Sequence, residues 1–371
     1  MAKRHVIFIV LGTAALVAAR PAFAIIPGVQ TDRPLDAPNS PWQGMAWDYV
    51  YQTGAGTSVA VGYFSLLTAR HCAMDNGDIL TVNGDEFEVV RRQFLPRDPG
   101  GVSPPDLCLL QLRNNTDPMR PLPGYYELYT GRLDVNLEGN MVIVGTGLSG
   151  EGHHAIFYQE DPNTGRAKRW GTNSYSGAGP HEDPAGLLDT RCFQMDFHRG
   201  ETPHECGYGE GDSGGGVFVK APDGEWRLAG INLYRDGMEG WYRDMWAASI
   251  PAYAHWLNGV LAEDVLPGDA DLDGDVDFRD YLRVKASLGR TPEANWQDGD
   301  FNHDRRVDRE DFHAIVTNFG YTSPGHPVMT PPIWPAVEAG SPAHVLPEPS
   351  ALGVLAIGVL ALLRRRSRRR R

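Results

Sequence analysis

The stretch Gly207-Tyr208-Gly209-Glu210-Gly211-Asp212-Ser213-Gly214-Gly215-Gly216 sets a serine among glycines, directly after an aspartate. With no side chains on either side, a carbonyl group can come close to the backbone. The N–H groups of Gly211 and Ser213 can then hold the oxyanion of a tetrahedral intermediate. The apolar run Val217-Phe218-Val219 follows at once and ties this loop to a sheet. Two upstream stretches carry the other groups that such a serine needs. Leu66-Leu67-Thr68-Ala69-Arg70-His71-Cys72 is an apolar run ending in a histidine, and Asp106-Leu107-Cys108-Leu109-Leu110-Gln111-Leu112 is an aspartate opening an alternating one. An imidazole can take the hydroxyl proton, and a buried carboxylate can hold the imidazole in the right tautomer. Asp98 and Asp117 compete with Asp106 for that part, but neither opens an apolar run. His153, His198 and His255 lack such a setting and read as surface or structural residues.

In this order the three stretches resemble the trypsin-like (chymotrypsin-fold) serine peptidases, which carry Thr-Ala-Xaa-His-Cys, then Asp-Xaa-Xaa-Leu-Leu, then Gly-Asp-Ser-Gly-Gly. The resemblance spans roughly residues 25–261. It implies an all-β domain of two six-stranded barrels with the site between them. Ser213 is then the nucleophile, His71 the general base and acid, Asp106 its orienting partner, and Gly211 and Ser213 the oxyanion-hole donors. Gly145-Thr146-Gly147 is similar to the glycine-rich turn that opens the second barrel. The substrate pocket is implied at Gly207, six residues before the serine, with Tyr208, Leu233, Tyr234 and Arg235 around it. No carboxylate at Gly207 selects lysine or arginine, and Arg235 stands where the family often has glycine, which points to acidic or small residues. Signal cleavage after Ala24 would expose Ile25-Ile26-Pro27-Gly28, similar to the start of the activated enzymes, whose new ammonium pairs with the residue equivalent to Asp212. The four cysteines of an exported chain read as disulfides rather than metal ligands. Cys72–Cys108 is the preferred pair, because the histidine and aspartate segments have to meet, leaving Cys192–Cys206 to brace the serine loop. Four cysteines permit three connectivities.

The chain around this domain is modular. Residues 1–24 read as a secretory signal peptide: a basic start at Lys3-Arg4-His5, an apolar stretch, and Ala22-Phe23-Ala24 as cleavage site. Residues 25–262 form the peptidase-like domain. Its short alternating runs lie between Gly, Pro, Asn and Asp clusters: 58–67, 79–90, 107–112, 141–144 and 227–233. A helix over 250–261 closes it, with Tyr253, Trp256, Leu257 and Val260 on one face.

From Pro267 the composition changes. Asp269, Asp271, Asp273, Asp277 and Asp280 place oxygen side chains at positions 1, 3, 5, 9 and 12 of a loop with Gly274 in its middle, the pattern of a calcium site. The pattern recurs 31 residues on with Asp300, Asn302, Asp304, Asp308 and Asp311. Asp275 and Arg306 stand at position 7, where the backbone carbonyl is the ligand. Each loop leads into a helix with an apolar face: Tyr281, Val284 and Leu288, then Phe312, Ile315 and Phe319. These tandem units over 267–321 resemble a type I dockerin, a small α-helical module with EF-hand-like loops. The resemblance implies Ca2+ at two sites and a cohesin-bearing partner. Arg305 replaces the mid-loop glycine of the second site, which weakens it. Phe278-Arg279 and Arg309-Glu310 differ at the positions that often face the cohesin, so two-way symmetric docking is in doubt. The segment's apolar face is small, so metal binding is expected to drive its folding independently of the β domain.

Residues 322–346 are proline-rich and aperiodic, an extended tether. Residues 347–371 hold Pro347-Glu348-Pro349-Ser350, an apolar run 351–363 and an arginine tail, resembling a PEP-CTERM sorting signal and implying processing by an exosortase. As a helix the run reaches only ~20 Å against a ~30 Å hydrocarbon core, so its membrane insertion is transient, with the arginines kept inside. The formal charge is −13 although the last eight residues contain seven arginines. A body that acidic excludes nucleic acid as a partner. The sequence thus reads as an exported serine endopeptidase acting on protein or peptide. A catalytically silent surface protein of the same fold and an esterase using the same three residues are the alternatives.

Overall fold

The computed structural model describes residues 47–322, except 98–102, 134–140, 153–157, 162, 164, 183–188, 199–200, 239–240 and 293, together with 26–27, 38, 42 and 45. The signal peptide, Ile25, Asp98, the tether and the C-terminal sorting signal lie outside the described residues. No helix among those described is long and apolar enough to cross a membrane.

A two-residue strand, β1 (Ile26–Pro27), precedes the first sheet. That sheet contains β2 (Val50–Thr53), β3 (Gly56–Ala60), β4 (Ser65–Thr68), β5 (Ile79–Val82), β6 (Asp85–Phe94) and β7 (Cys108–Asn114), in the order β2-β3-β4-β7-β6-β5. Its pleat follows the sequence: in β5 Leu80 and Val82 are buried while Ile79 and Thr81 face out. Asn83 and Gly84 both take positive φ, 53° and 93°, as a tight hairpin between β5 and β6 requires. The apolar run 58–67 is not one strand but two, folded back at residues 61–64.

The second sheet is built from β8 (Met141–Gly145), β9 (Gly150–Gly152), β10 (Tyr158–Glu160), β11 (Arg169–Asn173), β12 (Gly177–Glu182), β13 (Asp189–Asp196), β15 (Gly216–Lys220), β16 (Trp226–Met238) and β17 (Trp241–Ser249). The main path runs β11-β8-β15-β16-β17-β10-β9, with β13 also on β17 and β12 on β13. Nine strands are described here where six were expected, the extra ones clustering around β17. A short β14 (Cys206–Gly207) pairs with β1, setting Ile26 opposite Gly207. The helix α1 (Ile250–Leu261) covers the end of β17 with Tyr253 and Leu257 buried, as its periodicity indicates. The fold is therefore the expected two-sheet, all-β domain followed by a small helical unit.

That unit comprises α2 (Phe278–Ser287) and α3 (Arg309–Asn318), each entered through the same device. Asp277 caps α2 and Asp280 reaches back to the cap, and Asp308 and Asp311 repeat this at α3. The unit's core is completed by the β domain. Val276, Val284, Phe301, Val307 and Ile315 share one buried cluster with Tyr63, and Phe64, Met119 and Tyr125 pack against it from the β domain. The ring of Tyr63 lies 5.1 Å from that of Tyr125 and 5.7 Å from that of Tyr321. The buried amide of Asn318 donates to Met119 O and to Pro267 O, both at 2.7 Å. The small apolar face of the helical unit is thus extended by contacts with the β domain.

The cysteine pairings are corrected, for all four cysteines are buried and none is disulfide-bonded. Side chains alternate across a strand. Cys108 shares a face with Leu110 and Leu112, whereas Cys72 packs on the opposite side with Leu107 and Leu109. Likewise Cys192 points away from Phe193 and Met195, whose cluster includes Cys206. Burial pushes the Cys72 and Cys108 thiols up to about 11.

The junction between the units rests on Asp264, whose carboxylate turns under residues 61–64 and accepts from Phe64 N at 3.0 and 3.1 Å. Burial pushes this carboxyl up to about 6 from an ordinary value of 3.8. A raised folded-state value means that its contribution to stability is full near pH 4 and is lost as pH rises through about 6. Asp264→Asn retains the acceptor without the charge. Thermal melts should show the variant stabilised by on the order of 1 kcal/mol above pH 6, with the gain vanishing near pH 4.

Candidate active site

β4 and β7 are antiparallel neighbours with Thr68 opposite Cys108, so the residues just after β4 meet those just before β7. His71 sits in a single 3-10 turn, Arg70–Cys72, that follows β4. Asp106 is buried, and its carboxylate takes both hydrogens that His71 offers it. Oδ1 accepts the backbone N–H at 3.0 Å, and Oδ2 lies 2.6 Å from Nδ1. A carboxylate there favours the tautomer with its proton on Nδ1. The N–H of Asp106 donates in turn to Thr190 Oγ1 of the second sheet at 2.8 Å, so both sheets position this carboxylate.

Ser213 lies on the loop between β14 and β15 and is stitched to both sheets. Its carbonyl accepts from Thr57 N at 2.8 Å and from Cys72 Sγ at 3.4 Å, while its Oγ donates to Leu233 O at 3.3 Å. Gly211 and Gly214 take φ of +88° and +85°, open to glycine and strained for other residues. A Cβ on Gly214 would stand 2.0 Å from Thr57 O, and one on Gly56 would overlap both Cys72 Sγ and Ser213 O. The glycines therefore serve close approach of the two sheets as well as turn geometry.

The fully buried Asp212 accepts from Gly147 N at Oδ1 and Gly209 N at Oδ2, both at 2.7 Å. Gly145 and Gly147 leave room for it, because a Cβ on either would come within 3.0 Å of its side chain. Arg169, also fully buried, is its cationic neighbour: burial pushes the guanidinium down to about 9, and the Asp212 charge opposes that shift. Leu148 N donates to Glu210 O at 2.6 Å. Because C=O and N–H of one trans peptide point in opposite directions, this bond turns the Gly211 N–H away from Leu148. Among the described residues neither Gly211 N nor Ser213 N donates to a backbone acceptor of the loops and turns. Arg166 fixes the loop from outside, donating to Gly54 O at 2.8 Å, Gly56 O at 2.6 Å, Thr146 O at 3.1 Å and Gly211 O at 3.4 Å.

Of the rivals, Asp117 faces the helical unit, pairing with Arg120 at 3.4 Å and His313 at 3.5 Å. His198 sits beside Glu201 at 3.1 Å, and His255 is exposed. Sequence reasoning missed Thr190, Arg166, Arg169 and Leu148. Only Gly145-Thr146-Gly147 hinted that something large, the Asp212 carboxylate, had to fit there.

In the helical unit, carboxylate oxygens of Asp269, Asp271 and Asp273 lie within 4.8 Å of one another, as do those of Asp275, Asp277 and Asp280. Burial first, then mutual repulsion, pushes Asp275 up to about 6. Asp271 Oδ1 and Asp275 Oδ1 are buried without a hydrogen-bond partner. Arg279 pairs with Asp273 at 3.0 Å and Arg283 with Asp271 at 3.8 Å, but the clustered carboxylates outnumber them and fit a divalent, oxygen-preferring cation such as Ca2+. The second loop has the same backbone plan: Asp300 accepts from Asp304 N at 3.0 Å and Arg305 N at 2.9 Å, as Asp269 does from Asp273 N at 3.2 Å and Gly274 N at 2.9 Å.

Residues 267–319 match the model of the type I dockerin domain. No curated protein matches the chain by sequence. Among solved structures it is similar to the MamO protease domain from Magnetospirillum magneticum in its apo form, with 15% identity over 54% of this chain and 87% of that one and a TM-score of 0.34. It is also similar to neuropsin, a serine protease expressed in the limbic system of mouse brain, with 17% identity over 56% and 89% and a TM-score of 0.37.

The two dockerin loops differ at one strained point. Gly274 takes φ +87°, and Arg305 is forced to +69° at the same place. Left-handed backbone costs a non-glycine residue about 1–2 kcal/mol. Arg305→Gly should therefore raise the melting temperature of the calcium-loaded chain by several degrees and tighten calcium at the second loop, measured by calorimetric titration.

Proposed function

We propose that the chain is an exported serine endopeptidase carried to a cohesin-bearing partner by its dockerin. The observation that supports this most is the double grip of the Asp106 carboxylate on the N–H and Nδ1 of His71, beside the loop that carries Ser213. In this reading Ser213 Oγ attacks a peptide carbonyl and passes its proton to His71 Nε2. The imidazolium that forms is stabilised by Asp106 and then protonates the leaving amine. Negative charge on the carbonyl oxygen goes to the N–H groups of Gly211 and Ser213, whose setting is fixed by Leu148, Arg166 and Asp212. Water then repeats the sequence on the acyl-enzyme.

The dockerin would bind Ca2+ through Asp269, Asp271, Asp273, Asp277 and Asp280 of the first loop, with Asp300, Asn302, Asp304, Asp308 and Asp311 as the second set. Calcium there offsets acidic repulsion in a unit whose core is shared with the β domain. Export by residues 1–24 and transient membrane retention by 347–371, released by an exosortase, complete the proposal.

Kinetics on a peptide substrate test the catalytic reading. Ser213→Ala and His71→Ala should each lower kcat on the order of 10⁴-fold or more. Asp106→Asn should cost nearly as much near neutral pH, because it favours the wrong imidazole tautomer. Full activity in Asp106→Asn would remove that residue from the mechanism.

A further inference from the structure

Ser213 Oγ bonds to Leu233 O, which sets loop 207–213 beside β16. In the peptidase reading, the side chain of the residue whose carbonyl is attacked enters between these two segments. Tyr158 of β10 packs behind the loop from the second sheet's core. It is fully buried, and a Cβ on Gly207 would stand only 2.4 Å from its ring. Its hydroxyl accepts from Tyr208 N at 3.3 Å, which pins the ring against the loop. The side chain of Tyr208 is itself buried in the second sheet's core, in the same cluster as Tyr158.

Arg235 closes the same space from the strand side. Its guanidinium crosses to the loop and donates to Tyr208 O at 2.9 Å. A second nitrogen pairs with Glu160 Oε2 at 2.7 Å, and the group lies 3.9 Å over the Tyr242 ring. The other oxygen of Glu160 takes the N–H of Glu210, so the brace runs from β16 through β10 to the oxyanion loop. A guanidinium paired in this way with Glu160 offers little free charge to an acidic substrate.

Resting on the peptidase reading above, we propose that Tyr158, together with the Arg235–Glu160 pair, closes the acyl-side pocket and confines cleavage to bonds that follow a small side chain, glycine, alanine or serine. A filled pocket discriminates by exclusion, and each methylene that does not fit costs roughly 10-fold or more in kcat/KM.

The test uses the full chain and a series of peptide p-nitroanilides differing only in the acyl residue: Gly, Ala, Phe, Arg and Glu. The expected kcat/KM for Ala or Gly exceeds that for Phe, Arg and Glu by at least about 100-fold. Tyr158→Ala should raise the Phe-to-Ala ratio at least 10-fold. Arg235→Ala, which removes no core ring, should raise it in the same direction if the tyrosine variant does not fold. A merely structural role for these residues would lower all substrates together and keep the ratio fixed. A fixed ratio in a folded variant, or a wild-type preference for Phe, Arg or Glu, overturns the pocket proposal and leaves the peptidase standing. Failure to cleave any of the series, with no modification of Ser213 by a fluorophosphonate, overturns both.

Discussion

The buried carboxylate of Asp212 takes N–H groups from two separate segments, and the serine loop is built around that demand. Gly209 supplies one donor from within the loop and Gly147 the other from the turn after β8. A buried charge without partners would be costly, so the approach of these segments is enforced rather than incidental. The same approach brings Leu148 N onto Glu210 O, which sets the direction of the Gly211 N–H. It also brings Thr146 within reach of Thr57 and Arg166, and so joins the loop to the first sheet. Ser213 inherits its place from this frame. Arg169 adds a buried cation beside the carboxylate from within the described chain.

A second dependence runs between the two units of the protein. The hairpin bend at residues 61–64 leads directly into β4 and hence to His71, and Tyr63 and Phe64 of that bend belong to the core of the dockerin segment. The short connection after α1 carries Asp264 back under the same bend. Loosening the calcium loops therefore exposes apolar surface of the β domain itself. A tethered module on a flexible linker would carry no such linkage. A cation bound to the acidic loops of the folded state would therefore stabilise more than the segment that ligates it.

Much of this was legible in the sequence because its signals are local. An apolar run ending in His71, another beginning at Asp106, and glycines bracketing Ser213 each report a backbone requirement within a few residues. The repeated acids at Asp269 and Asp300 report another. The helix from Ile250 to Leu261 could be bounded correctly because its apolar face repeats with helical spacing. What failed was long-range and side-specific. Cys72 and Cys108 lie on segments that do meet, yet strand alternation sends their side chains to opposite faces. Arg166 and Arg169 carry no motif at all, since their partners are carbonyls and a carboxylate brought together only by folding. Tyr158 is one tyrosine among many until β10 lays it against Gly207. The packing of the dockerin segment was illegible for the same reason: nothing in residues 267–321 announces that Tyr63 and Tyr125 complete their core.

The central proposal is that Ser213 is a nucleophile activated by His71 and Asp106. The direct measurement is peptide mapping by mass spectrometry after reaction of the full chain with a fluorophosphonate. The account predicts one phosphonyl group, on Ser213, with the rate of modification falling as His71 is protonated at acidic pH. Modification elsewhere, or an equal rate for Ser213 in His71→Ala, would contradict it.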